Sequence, residues 1–217
     1  MTHIARSFSF LALGDSYTVG EGVPAHECWP AQLAARLRAA GEPAILAKTG
    51  WTTDELAAAL TAAEAQGKLQ PPYDLVSLQI GSNNQYRGGK LSTFRAEFSA
   101  LLDRAIELAG GRAGRVLVVS IPDWSATPFA ERRFAGQAGQ AAQTAAEIGA
   151  FNAAKRTITR QAGAQFVDIT PLSIPDPGDP ARCLAADGLH PSAAMYARWL
   201  TVLLPAAQTI LSQPKHP

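Results

Sequence analysis

The sequence is poor in cysteine and carries no concentration of charge. Two thiols, Cys28 and Cys183, in 217 residues are too few for a disulfide framework and lack metal-ligand spacing, so two reduced thiols and no bound metal are expected. The 19 basic and 18 acidic residues leave a formal net charge of +1 with no run of one sign. That gives no footing for nucleic acid or for an anionic membrane surface. No apolar stretch approaches the roughly 18 residues needed to span a bilayer. Internal repeats are lacking as well. The opening MTHIARSFSFLALG places Arg6 ahead of an apolar run, as a signal peptide does. The run is short, however, and leads straight into a Gly-Asp-Ser turn that belongs to the fold. The reading is therefore a chain without a signal peptide and a cytoplasmic location, a trimmed signal being the alternative.

What is present is a core-forming composition. Hydrophobic residues make up 47% of the chain, enough for one domain over residues 1–217, with 212–217 a frayed tail. Near-continuous apolar runs at 8–13, 44–47, 75–80, 116–121 and 165–169 read as parallel strands covered on both faces. Helical patterns lie between them. Trp29, Leu33 and Leu37 recur every fourth residue. Phe94, Phe98, Leu101, Leu102 and Ile106 form one stripe over 91–109. Thr52 and Glu55 have capping-box spacing ahead of an alanine-rich segment, and further helices are expected at 141–161 and 192–211. Strict alternation of strand and helix points to an α/β fold, a three-layer α/β/α sandwich around a five-stranded parallel sheet. Segments 122–140 and 170–187 read as long loops.

In open sheets of this kind ligands bind beyond the carboxyl ends of the strands. The polar residues fall there. Gly14-Asp15-Ser16 follows the first apolar run, Lys48-Thr49-Gly50 the second, Gly81-Ser82-Asn83-Asn84 the third, and Asp187-Gly188-Leu189-His190 closes the loop after the fifth. Together they supply an acyl-transfer set. Ser16 offers a hydroxyl that becomes nucleophilic once a base takes its proton. His190 is the natural base. Asp187, three residues earlier, can hold the imidazole tautomer. The N–H groups of Ser16 and Gly50 and the amide of Asn83 can receive a developing oxyanion. Each residue has a plainer reading: Ser16 and the two asparagines as turn residues, Asp187 as a helix cap, Gly50 as a strand terminator.

These four blocks, in this order and over most of the chain, resemble the SGNH, or GDSL-type, hydrolases. The resemblance implies a flavodoxin-like sandwich and ester hydrolysis through an acyl-enzyme, without metal or cofactor. It implies Ser16 as nucleophile, His190 as base with Asp187 as its partner, and Gly50 and Asn83 as oxyanion donors. Two positions depart from the pattern. Tyr17 replaces the leucine of the GDSL name, a change expected to affect packing. Asn84 stands where the family often has aspartate, which bears on how the third block is tied down. Asp15 is read as a structural hydrogen-bonding residue, and His3, His26 and His216 as surface histidines. Trp51, Tyr86, Trp124, Phe129 and Leu189 are candidates to line an acyl or alcohol pocket. The partner is then a small ester of a lipid, aryl or sugar alcohol.

Three other readings compete. Gly20-x-Gly22-x-x-Ala25 has dinucleotide-fingerprint spacing, but it lies well after the strand and Pro24 interrupts it. A non-catalytic module of the same fold is disfavoured by the complete catalytic set. An acyltransferase or carbohydrate deacetylase would use the same triad.

Overall fold

A computed structural model of the chain describes residues 8–37, 41–176 and 178–213, so His3 and His216 lie outside the described residues. In chain order it contains β1 (Phe10–Gly14), α1 (Ser16–Val19), α2 (Trp29–Leu37), β2 (Ala44–Ala47), α3 (Thr53–Ala65), β3 (Leu75–Gln79), α4 (Ser82–Tyr86), α5 (Leu91–Leu108), β4 (Val116–Val119), α6 (Pro128–Arg133), α7 (Gln140–Gln161), β5 (Gln165–Val167), α8 (Pro180–Cys183) and α9 (Ala193–Ser212). All strands are parallel, in the order β2-β1-β3-β4-β5.

The apolar runs form strands because both of their faces are covered. Leu11 and Leu13 of β1, Val76 and Leu78 of β3, and Val116 and Val118 of β4 point into one core with α3, α5 and α7. The alternate residues Phe10, Ala12, Leu75, Leu117 and Val119 join a second core with α2 and α9. This is the three-layer arrangement expected, with the pleat sorting each run between two cores. The two edge strands are less covered: the residues of β2 range from half-buried to exposed, and two of the three in β5 are half-buried. Each has a neighbour on one side only.

The helices follow their local signals. The box ahead of α3 is made: the Glu55 carboxylate accepts the Thr52 N–H at 2.8 Å. The two segments read as long loops are partly ordered. Segment 122–140 contains a 3-10 turn at Trp124–Ala126 and then α6, started by Pro128 with Thr127 as its cap. Segment 170–187 contains a 3-10 turn at Thr170–Leu172 and α8. Such short helices carry too few turns to show a 3.6-residue period in sequence. Cys28 is buried and Cys183 half-buried, and both thiols are free.

From β1 the chain crosses to β2 on one side, then returns to β3 on the other. The switch point therefore lies between the carboxyl ends of β1 and β3, where open α/β sheets place ligands. Ser16 follows β1 and Asn83 follows β3, so the topology alone brings these two together.

Candidate active site

Ser16 is the first residue of α1, directly after β1. Asp15 caps this short helix, its Oδ1 accepting the Tyr17 N–H at 3.1 Å. The turn is tight because of Gly14. A Cβ there would come within 2.5 Å of the Gln79 carbonyl oxygen and closer still to the Thr18 hydroxyl. As the first helical residue, Ser16 has an N–H with no carbonyl one turn earlier to bond. Its side chain is reached only through a hollow, for the residue is 4% exposed.

The base side is built by a local turn. Asp187 Oδ1 accepts the N–H groups of Leu189 at 2.8 Å and His190 at 3.0 Å, while Oδ2 lies 2.6 Å from His190 Nδ1. An ionised carboxylate only accepts, so Nδ1 carries a proton and donates it to Asp187. Partial burial would raise the Asp187 carboxyl, but the hydrogen bonds from His190 and Leu189 outweigh it and hold the group below the ordinary carboxylate range. The turn is anchored on both flanks. The Ala185 N–H donates to the His190 carbonyl at 2.8 Å, and Arg132 donates to the Asp187 carbonyl at 2.9 Å.

Gly50 is the third residue of a β-turn closed by the Trp51 N–H on the Lys48 carbonyl at 3.2 Å. Its φ of 87° is the left-handed value that glycine supplies at this place. Asn83, on α4, donates from Nδ2 to the Trp51 carbonyl at 2.9 Å. One Nδ2 proton thus fixes the amide, and the second is free to bond elsewhere. Asn84 supplies the tie that the sequence left open: its Oδ1 accepts the Thr53 N–H at 3.1 Å and its Nδ2 donates to Thr53 Oγ1 at 2.7 Å. An amide offers both a donor and an acceptor to the start of α3, where an aspartate would offer acceptors alone.

Ser16, Gly50, Asn83 and His190 all line one hollow of about 190 Å³. Tyr86, Trp124, Phe129 and Leu189 complete its apolar side. Trp51 does not: its side chain packs against the core beneath α3, and only its carbonyl takes part. The structure adds Tyr17, Thr49 and Ser82 to the lining. Tyr17 explains the departure from leucine, because its buried ring packs against the His190 ring with centroids 5.3 Å apart and against Trp199 at 6.5 Å. A larger hollow of about 350 Å³ at the β2 edge, whose lining includes four alanines, His26 and Glu42, contains none of these residues.

A family model of GDSL-like lipases and acylhydrolases matches residues 12–198. The chain belongs to this family. No curated protein matches the sequence, but solved structures do. A psychrotrophic esterase from Pseudoalteromonas sp. superposes with a TM-score of 0.66 at 15% identity, covering 95% of this chain and 100% of that one. A lipase/acylhydrolase from Enterococcus faecalis gives 0.62 at 21%, with coverage of 97% and 100%. An acetyl-xylooligosaccharide esterase from Geobacillus gives 0.65 at 18%, with 98% of both chains. At these identities the likeness is one of fold, and it extends over nearly the whole length of this chain.

One buried group of this GDSL-family chain escaped sequence reasoning. Lys155, on α7, is fully buried and donates to the carbonyls of Ile80 at 2.9 Å and Val119 at 2.7 Å, at the carboxyl ends of β3 and β4. Burial pushes its ammonium down to about 7, with the charges of Asp15 and Asp168 opposing. Burial likewise pushes the Asp15 carboxyl up to about 7, against the Tyr17 N–H and the Lys155 charge. A lysine in an amphipathic pattern reads as surface, so nothing in the sequence marked it.

Proposed function

We propose that the chain is a serine esterase that hydrolyses carboxylic esters through an acyl-enzyme, with Ser16, His190 and Asp187 as its triad. His190 Nε2 takes the Ser16 hydroxyl proton as Oγ attacks the ester carbonyl carbon. The carbonyl electron pair moves onto oxygen, and the N–H groups of Ser16 and Gly50 and the Asn83 amide stabilise that oxyanion. Collapse breaks the bond to the alcohol, whose oxygen leaves with the proton from His190. Water then gives a proton to His190, attacks the acyl carbon, and Ser16 Oγ departs with that proton. Asp187 holds the ring and stabilises the imidazolium throughout. The cycle closes on the protein's own groups, with no cofactor called upon.

The observation that carries this reading is the convergence of four sequence-distant blocks on one hollow, with a carboxylate–imidazole pair behind it. The hollow is also small. At about 190 Å³ it is below the roughly 300 Å³ where sites for drug-sized ligands begin, and its wall is aromatic. A short acyl group fits such a space. The test is a panel of p-nitrophenyl esters from acetate to palmitate, run on wild type and Ser16→Ala. Hydrolysis should favour the shortest chains and fall by on the order of 10⁴-fold or more in the variant. Undiminished turnover by Ser16→Ala would remove the nucleophile, and a preference for palmitate would remove the size argument.

A further inference from the structure

Gly50 is the proposed oxyanion donor with the least restraint of its own, since it lacks a side chain and sits at positive φ. Something outside the residue must hold it. Arg87, the residue that caps the end of α4, donates from Nη2 to the Gly50 carbonyl at 2.6 Å. Its Nη1 lies 3.3 Å from Glu55 Oε2, the same oxygen that closes the capping box of α3. One turn earlier on α4, Asn83 grips the next carbonyl, that of Trp51. Successive carbonyls point to different sides of the chain, so gripping both from one helix leaves the 48–51 turn little freedom to rotate. The helix that carries one oxyanion donor thereby fixes the turn that carries another.

We propose that Arg87 is a positioning residue for the oxyanion hole, setting the Gly50 N–H relative to Asn83 by clamping the Gly50 carbonyl between α4 and the first turn of α3. The proposal rests on the esterase reading above. It assigns Arg87 no contact with substrate. A purely structural role is a poor fit, because the Arg87 and Glu55 side chains are 51% and 42% exposed, and exposed ion pairs contribute little to stability. The stability effect of losing Arg87 is therefore small, while displacement of a preorganised donor acts on the transition state.

The test compares Arg87→Ala, Arg87→Lys and Arg104→Ala with wild type and Ser16→Ala on p-nitrophenyl acetate. Arg104 pairs with Glu64 away from the hollow and controls for loss of an arginine–glutamate pair. Arg87→Ala should lower kcat by on the order of 10-fold with KM within about twofold. Its melting temperature should fall no further than that of Arg104→Ala. Arg87→Lys should recover part of the rate, because one ammonium can reach the carbonyl without forking to Glu55. In an Asn83→Ala background the Arg87 change should cost less than it does alone, since both residues serve one hole. Full kcat in Arg87→Ala beside an inactive Ser16→Ala would overturn the positioning role and leave the esterase standing. So would a loss confined to KM, or a variant that fails to fold. Ester hydrolysis that survives in Ser16→Ala would instead overturn the esterase reading itself.

Discussion

The two turns that supply the proposed nucleophile and base are held by opposite means. Around Ser16, residues Asp15, Tyr17 and Thr18 are all buried, and the turn is wedged between β1, β3 and the core beneath α9. Around His190, the Asp187 side chain is 42% exposed, and the turn holds its shape through hydrogen bonds that the Asp187 carboxylate accepts and through the Ala185 and Arg132 contacts on its flanks. The first is positioned mainly by packing, the second mainly by hydrogen bonds. Changes in the first turn should therefore move stability, and changes in the second should move rate.

Asp187→Ala gives the largest effect. It removes the acceptor of two backbone N–H groups and of the imidazole at once, so kcat should fall by on the order of 10³–10⁴-fold. Because the side chain is half in water, the melting temperature should change little. Steady-state kinetics beside a thermal melt measure both, and a large loss of stability with modest loss of rate would reverse the comparison. Asn83→Ala stands between the two turns and should lower kcat by on the order of 10²–10³-fold with the fold intact. A variant that turns over at full rate would take Asn83 out of the oxyanion hole.

The smallest effect belongs to the buried turn and is read in stability. Asp15 is held protonated to about pH 7 in the folded chain, against an ordinary value of 3.8. Between those values the native state binds the extra proton, so this residue makes stability fall as pH rises through that window. Asp15→Asn keeps an oxygen for the Tyr17 N–H and loses the ionisation. Its melting temperature should gain on wild type by on the order of a few °C between pH 4 and pH 7. Parallel curves for the two proteins would show that Asp15 ionises as freely folded as unfolded.

The sequence made the frame legible because each strand is a contiguous run whose covering on two faces leaves an apolar signature. The bounds of β2 are those its run suggested, and β3 and β4 end only one or two residues earlier than theirs. The site blocks were legible for a related reason: in this topology the residues after each strand must meet at one edge. What stayed hidden depends on contacts without a period. Trp51 is as aromatic as Trp124, but only the structure separates a ring packed in the core from one facing the hollow. Helix α4 is five residues long, too short to announce itself, and with it the four-residue spacing that puts Asn83 and Arg87 on one face was invisible.

The aromatic side of the hollow comes from Tyr86, Trp124 and Phe129, and none of these stands on a strand. Trp124 is braced by Gln85, whose Oε1 accepts its indole N–H at 2.9 Å, and Gln85 in turn leans on Glu147. Trp124 and Phe129 thus stand on a segment apart from the proposed triad and oxyanion donors, while Tyr86 shares α4 with Asn83. Exchanges along the 124–129 segment can therefore reshape that wall without touching Ser16, Gly50, Asn83, Asp187 or His190.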